Sequence, residues 1–152
     1  MRGAGPDGPP VVLLVEDDED HAELVSRALV GIPPDARVVH VRDGAGALAY
    51  LEHRVPWEDA GSHPLPRLIL LDLRLPRQDG VEVLGRIREV AGMTEVPAVI
   101  LTTSEAERDV LRARECRAVA YAVKPVGHEA FRNVLRELVT RWLSPPQETA
   151  GA

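Results

Sequence analysis

Apolar residues along this chain fall into two kinds of pattern. Unbroken runs at Val11–Val15, 68–71, 98–101 and 118–123 are too short for an independent helix and show no alternation of apolar with polar. Such runs are how strands buried on both faces of a parallel sheet read. A weaker run at Arg37–Val41 follows the Pro33-Pro34 break and predicts one more strand. Between these runs the apolar positions recur every three or four residues, which predicts helices. Ala22, Val25 and Leu29 mark the first, and Leu48 and Leu51 mark the second, which starts at Asp43-Gly44. Val83, Leu84, Ile87 and Val90 mark the third, over about 81–90. A fourth begins at Ser104, which with Glu107 has the spacing of a capping box. The last, 128–143, carries one stripe of Phe131, Val134, Leu135, Leu138, Val139, Trp142 and Leu143. Segment 55–66, with three prolines and Gly61, reads as a loop. Strands alternating with helices in this way predict a three-layer, doubly wound α/β domain with a five-stranded parallel sheet in the order 2-1-3-4-5.

Length narrows the organisation: 152 residues suffice for one well-buried domain and not for two of ordinary size. The Gly- and Pro-rich segment 1–10 reads as a disordered leader, 11–143 as the domain, and 144–152 as a flexible tail. A net charge of -6 argues against a surface built mainly for nucleic acid or anionic lipid. The chain shows neither an apolar run of membrane-spanning length nor the hydrophobic segment of a secretion signal, so a cytoplasmic location is expected. Cys116 is the single cysteine, which leaves no internal disulfide and no cysteine-rich metal cage. The five histidines are scattered and are expected on the surface.

The chemistry gathers where the predicted strands end. Open parallel sheets place ligands in the crevice at the carboxyl ends of their strands. Strand one runs into Glu16 and Asp17, strand three into Asp72, strand four into Thr102 and strand five into Lys124. Asp18, Glu19 and Asp20 have a simpler use, as acids in the first turn of a helix. Three carboxylates in one crevice repel one another, which raises a pKa or calls for a counter-cation; Mg²⁺, a hard ion that keeps several waters, fits oxygen donors of this kind. A carboxylate, a metal, a hydroxyl and an ammonium are also what phosphoryl transfer to an aspartate requires.

The stretches LLVEDDEDHAEL, LILLDLRLPRQDG, VILTTSEAE and YAVKP, in this order, resemble the receiver domain of two-component response regulators, a flavodoxin-like fold. The resemblance spans 11–143. It implies that Asp72 accepts a phosphoryl group from a kinase phosphohistidine and that Asp17 and Asp72 bind Mg²⁺ directly. It further implies that Glu16 reaches the metal directly or through water and that the backbone carbonyl of Arg74 completes the protein ligands. Thr102 would bond a phosphoryl oxygen and Lys124 would pair with it, with the Lys124-Pro125 peptide cis. Tyr121 falls where receivers place the aromatic that swings inward as the threonine moves, and Asp79 reads as a turn residue. Val126, Thr103 and Arg117 depart from the family pattern. Arg117 stands where a glycine with positive φ usually ends the fourth helix. Arg74 and Ser104 occupy positions that tune the lifetime of the phosphorylated form.

The resemblance extends, for the long segment before the third strand and for LTTS, to single-domain regulators that partner phytochrome-type histidine kinases. The expected partners are accordingly a sensor histidine kinase and, through the face formed by the fourth helix, fifth strand and fifth helix, a second copy of the chain. Two other classes compete. A phosphatase of the haloacid dehalogenase type places a DxD on its first strand, whereas here an acid pair comes first and Asp72 is followed by Leu-Arg. A flavin-binding domain needs hydroxyl and glycine donors after strand one, where this chain has acids.

Overall fold

The computed structural model describes residues 9–32, 35–113 and 117–143, without the side chains of 109 and 111–113. Residues 1–8 of the expected leader, the Pro33-Pro34 break, Cys116 and the 144–152 tail lie outside the described residues. In chain order the elements are β1 (Val11–Val15), α1 (Glu19–Ala28), β2 (Arg37–Val41), α2 (Gly44–Leu51), β3 (Leu68–Asp72), β4 (Arg74–Leu75) and β5 (Gln78–Asp79). There follow α3 (Gly80–Ile87), β6 (Ala98–Thr102), α4 (Glu105–Ala113), β7 (Ala120–Val123) and α5 (His128–Trp142).

The main sheet has five strands in the order β2-β1-β3-β6-β7. Every pairing within it is parallel. This is the expected 2-1-3-4-5 winding. The difference is a two-residue antiparallel ladder, β4 with β5, inserted after β3. The sequence reads there only as a turn through Pro76 and Asp79-Gly80, because two residues per strand are too few to show a period. Arg77 closes this small hairpin with a φ of 59°.

Alternate side chains of the central strands feed two separate cores. Leu13, Val15, Ile69, Leu71 and Ile100 pack under α2 and α3 with Tyr50, Val83, Leu84 and Ile87. Val12, Leu14, Leu68, Leu70 and Leu101 pack under α1 and α5 with Val25, Phe131, Leu135 and Val139. β1, β3 and β6 therefore carry no polar side chain before Glu16, Asp72 and Thr102, which is why their ends can place polar groups so sharply. The α5 stripe divides as its period requires: Phe131, Leu135, Val139 and Leu143 are buried, and Val134, Leu138 and Trp142 flank them half-buried. Among the described residues no helix is long and apolar enough to cross a membrane.

β7 starts at Ala120 rather than at residue 118, and two further places differ from expectation. α3 stops at Ile87 rather than Val90: the Arg88 N–H still donates to the Leu84 carbonyl (2.9 Å), but Glu89 and Val90 tighten to the carbonyls three residues back, Arg86 (3.2 Å) and Ile87 (3.0 Å). The buried Arg88 side chain turns its guanidinium to the carbonyls of Met93 (2.9 Å), Val96 (2.6 Å) and Arg117 (2.6 Å). Arg117 does not adopt positive φ; among the described residues the non-glycine ones that do are His53 and Arg77. A side chain with a Cβ avoids the left-handed region, and here the corner is held instead by the Arg88 bond to its carbonyl.

Candidate functional site

β1 and β3 are adjacent and in register, with Val15 opposite Leu71, so the residues that follow them emerge side by side on one rim. Glu16, Asp17 and Asp72 each bring a carboxylate oxygen to within 4.8 Å of the others. β7 delivers Lys124 to the same rim, because its backbone N–H donates to the carbonyl of Thr102 at 2.7 Å. The ammonium donates to Glu16 Oε1 at 2.8 Å and lies 3.5 Å from Asp72 Oδ2. All three side chains are shielded: 1% exposed for Glu16, 6% for Lys124 and 13% for Asp72.

This crowding has an electrostatic consequence. Burial, above all, pushes the Asp72 carboxyl from its ordinary 3.8 up to about 6; Lys124 opposes the rise, and the charge of Glu16 adds to it. Lys124 thus compensates one carboxylate well and leaves the cluster with an excess of negative charge. Three hard oxygen donors within ligand distance of one another, with that uncompensated charge, fit a divalent cation such as Mg²⁺ by the chemistry of the donor set.

Backbone close packing fixes where Asp72 sits. The Gly80 N–H donates to the carbonyl of Leu73 at 2.8 Å, drawing the start of α3 against the end of β3. A Cβ on Gly80 would lie 2.6 Å from the Asp72 carbonyl oxygen and 2.9 Å from Leu73 Cα, both backbone atoms that cannot step aside. Gly80→Ala is expected to cost about 1–3 kcal/mol in a urea melt. The clash falls on the Asp72 carbonyl and on Leu73 Cα, so the end of β3 must shift with it; an unchanged melt would show that the strand end tolerates the shift.

The remaining expected residues sort as follows. Thr102 ends β6, 1% exposed, on the same rim. Arg74 begins β4, and its backbone N–H donates to Asp72 Oδ1 at 3.3 Å. Tyr121, on β7, is half-buried against the core under α2 and α3. Asp18 caps α1, accepting from the N–H groups of Asp20 (2.8 Å) and His21 (3.2 Å), with Glu19 and Asp20 in the first turn as the dipole favours. Asp79 caps α3 by accepting from the Val81 N–H at 2.6 Å.

Three corrections follow. The Lys124-Pro125 peptide is trans, and the cis X–Pro bond among the described residues is Val55-Pro56. Lys124 reaches Glu16 and Asp72 from this trans peptide. The capping box at Ser104 is only half made. Ser104 Oγ accepts from the Glu107 N–H at 3.1 Å, but the Glu107 carboxylate turns away to the Thr102 hydroxyl at 2.7 Å and to the Arg74 guanidinium. The histidines are not all superficial: His21, His40, His53 and His63 are half-buried and only His128 is exposed. His40 Nε2 lies 2.6 Å from the Glu16 carbonyl oxygen, and His21 Nδ1 lies 3.3 Å from Lys124 Nζ. No periodicity in the sequence marks His21, because Glu16 lies outside α1 and the two share no helical face.

The sequence and the fold match known proteins. Residues 12–136 match the response regulator receiver domain. The chain is 38% identical over 135 residues to the probable methanogenesis regulatory protein FilR2 of Methanothrix harundinacea, covering 89% of this chain and 84% of that protein. It is 36% identical over 135 residues to response regulator Rcp1 of Synechocystis, covering 89% of this chain and 90% of that protein. Among solved structures, the phosphorylated cyanobacterial phytochrome response regulator RcpA superposes with a TM-score of 0.79 at 31% identity, covering 94% of this chain and 100% of that one. The Mn²⁺-bound form of Rcp1 superposes with a TM-score of 0.75 at 35% identity, covering 94% of this chain and 98% of that one. An acid pair, an aspartate, a threonine and a lysine at the carboxyl ends of a 2-1-3-4-5 sheet, together with these matches, place the chain in the response regulator receiver domain family of two-component signalling.

Proposed function

We propose that Asp72 is the phosphoryl acceptor of this receiver and that Glu16, Asp17, Asp72 and the backbone carbonyl of Arg74 hold Mg²⁺. The observation that carries the reading is the cluster of three carboxylates within 4.8 Å, with Lys124 beside it on the rim that also bears the Thr102 hydroxyl. In the transfer, an Asp72 carboxylate oxygen forms the new P–O bond while the P–N bond to the kinase imidazole breaks, and the released imidazole nitrogen takes up a proton. Mg²⁺, when bound, neutralises charge on the transferring phosphoryl group. Lys124 pairs with one phosphoryl oxygen, and the Thr102 hydroxyl donates to another. Asp72 is buried enough to be shielded from bulk water and charged enough at neutral pH to attack.

The partners follow from family and relatives. A sensor histidine kinase is the donor, and the names of two superposed structures, RcpA and the bacteriophytochrome response regulator RtBRR (38% identical, TM-score 0.70), support a kinase of the phytochrome type. The signal leaves through the face of α4, β7 and α5, where Tyr121 couples a moving Thr102 to a protein target or a second copy of this chain. The acting unit is 11–143, in the cytoplasm, with no direct contact to nucleic acid or membrane; its chemistry is limited to its own phosphorylation and dephosphorylation.

The test uses acetyl phosphate as donor. With Mg²⁺ the wild-type chain is expected to gain one phosphoryl group, mapped by peptide mass to the segment containing Asp72, and a chelator should prevent the gain. Label mapped elsewhere overturns the assignment. The metal site has its own readout, free of turnover: millimolar Mg²⁺ should raise the melting temperature by several degrees through linkage, and Asp17→Ala should remove most of that rise. An undiminished rise in the variant would place the ion elsewhere.

A further inference from the structure

The side chain of Glu107 holds two groups that a phosphoryl group on Asp72 would call upon. Thr102 has a single hydroxyl proton, and it is given to Glu107 Oε1 at 2.7 Å. The other Glu107 oxygen is paired with the guanidinium of Arg74, whose own backbone N–H touches Asp72. Glu107 is the third residue of α4, the position from which a capping-box carboxylate returns to the N–H of the cap, here Ser104. That N–H is instead satisfied by Thr102 Oγ1 at 3.3 Å. The threonine hydroxyl therefore stands between the two halves of an unfinished cap, accepting from Ser104 and donating to Glu107.

A hydroxyl with one proton cannot serve Glu107 and a phosphoryl oxygen together. If Thr102 rotates to the phosphoryl group, it releases the Ser104 N–H and the Glu107 carboxylate at once, and these two are placed by sequence spacing to satisfy each other. Arg74 has room to move as well, since it and Glu107 line an open cleft of about 450 Å³ with Gln78, Asp79 and Val110.

We propose that Glu107 is a positioning residue that holds the Thr102 hydroxyl and Arg74 in their resting places, and that phosphorylation exchanges the Thr102–Glu107 bond for a closed Ser104–Glu107 cap on α4. The inference rests on the phosphoryl-acceptor reading of Asp72. It makes the first turn of α4 the first structure beyond the rim to register the event. It also makes the resting bond a brake, because the phosphoryl group must win the proton from a charged acceptor.

The test titrates Mg²⁺ with beryllofluoride, a non-covalent stand-in for the phosphoryl group, into the full chain by calorimetry. Glu107→Ala removes the competing acceptor together with the cap it would close; because the resting carboxylate holds both Thr102 and Arg74 while the cap uses one bond, the variant is expected to bind about two- to threefold more tightly than wild type. In a Thr102→Val background, where no proton is contested, the same substitution should gain less than half as much on a logarithmic scale. Unchanged or weaker binding by Glu107→Ala, or an equal gain in both backgrounds, overturns the proposal. Glu107→Gln keeps an amide oxygen for Thr102 and for the cap but loses the charge that holds Arg74, so it should gain, by less than Glu107→Ala. If the alanine variant does not fold, a glutamine variant with no gain is sufficient refutation. Amide exchange gives an independent reading: the Ser104 N–H should stay protected when beryllofluoride binds to the wild type and lose protection in Glu107→Ala. Failure of the underlying reading looks different, since then the wild type would bind no beryllofluoride or Asp72→Asn would bind it as well.

Discussion

Asp72→Asn is expected to take up no phosphoryl group from acetyl phosphate and, in the presence of a chelator at neutral pH, to melt at a higher temperature than the wild type. The first half follows from chemistry: the amide keeps the shape of the side chain and has no carboxylate to form the acyl phosphate. The second half follows from the cluster, where the buried Asp72 carboxyl, beside Glu16, is pushed up to about 6. Between the ordinary carboxylate value and that raised one, the folded protein holds a proton that the unfolded chain has released. The folded state then binds more protons, so the group's contribution to stability falls as pH rises through the window from about 4 to 6. Above it the whole penalty is present, and the asparagine variant escapes it. The melting difference should therefore be largest near pH 7.5 and shrink towards zero below about pH 4. A difference that grows on acidification would contradict the arrangement, and incorporation that survives the substitution would remove Asp72 from its role.

The second large effect concerns Lys124. Its ammonium is 6% exposed and bonds a Glu16 carboxylate that is 1% exposed, so Lys124→Met leaves a buried anion next to two more. Breaking a buried pair by removing one partner costs about 3–5 kcal/mol. The loss here should sit at the lower end, near 3 kcal/mol, because Asp72 can take up a proton and relieve part of the repulsion. Urea melts with chelator at neutral pH should show it. Two compensations are diagnostic: Glu16→Gln in the same chain should restore at least half of the stability, and Mg²⁺ should stabilise Lys124→Met more than wild type. If neither restores anything, the damage is to packing and the charge argument fails. Acetyl phosphate labelling of Lys124→Met should slow without vanishing, since the nucleophile remains and a charge that pairs with the phosphoryl oxygen is lost.

What could be read in the sequence was set by how many residues carried each feature. β1, β3 and β6 each spend at least four consecutive apolar residues, and a run of that kind is interpretable alone. The positions of Glu16, Asp17, Asp72, Thr102 and Lys124 were legible for the same reason: each lies at or just beyond the end of a strand whose direction the winding rule fixes. Features that depend on a choice of rotamer were not. Ser104 and Glu107 have capping-box spacing, and nothing local says that the carboxylate prefers Thr102 and Arg74 to its own helix terminus. His21 and Arg88 look like surface residues until the fold brings Lys124 and three carbonyls to them. The β4–β5 ladder fails for lack of length, and the trans Lys124-Pro125 bond corrects an inference that came from likeness rather than from the residues.

The separation of the two cores by the sheet gives each layer its own optical probe. The chain has two tryptophans. Trp57 packs edge-on against Tyr50 at 5.1 Å and His63 at 5.2 Å, on the α2–α3 side. Trp142 lies on the α1–α5 side with the Arg141 guanidinium 5.6 Å from its ring. Converting either one to phenylalanine leaves a single emitter, so fluorescence during denaturation can report the two sides of the molecule independently, and their coincidence or divergence measures how tightly the strands between them tie one half to the other.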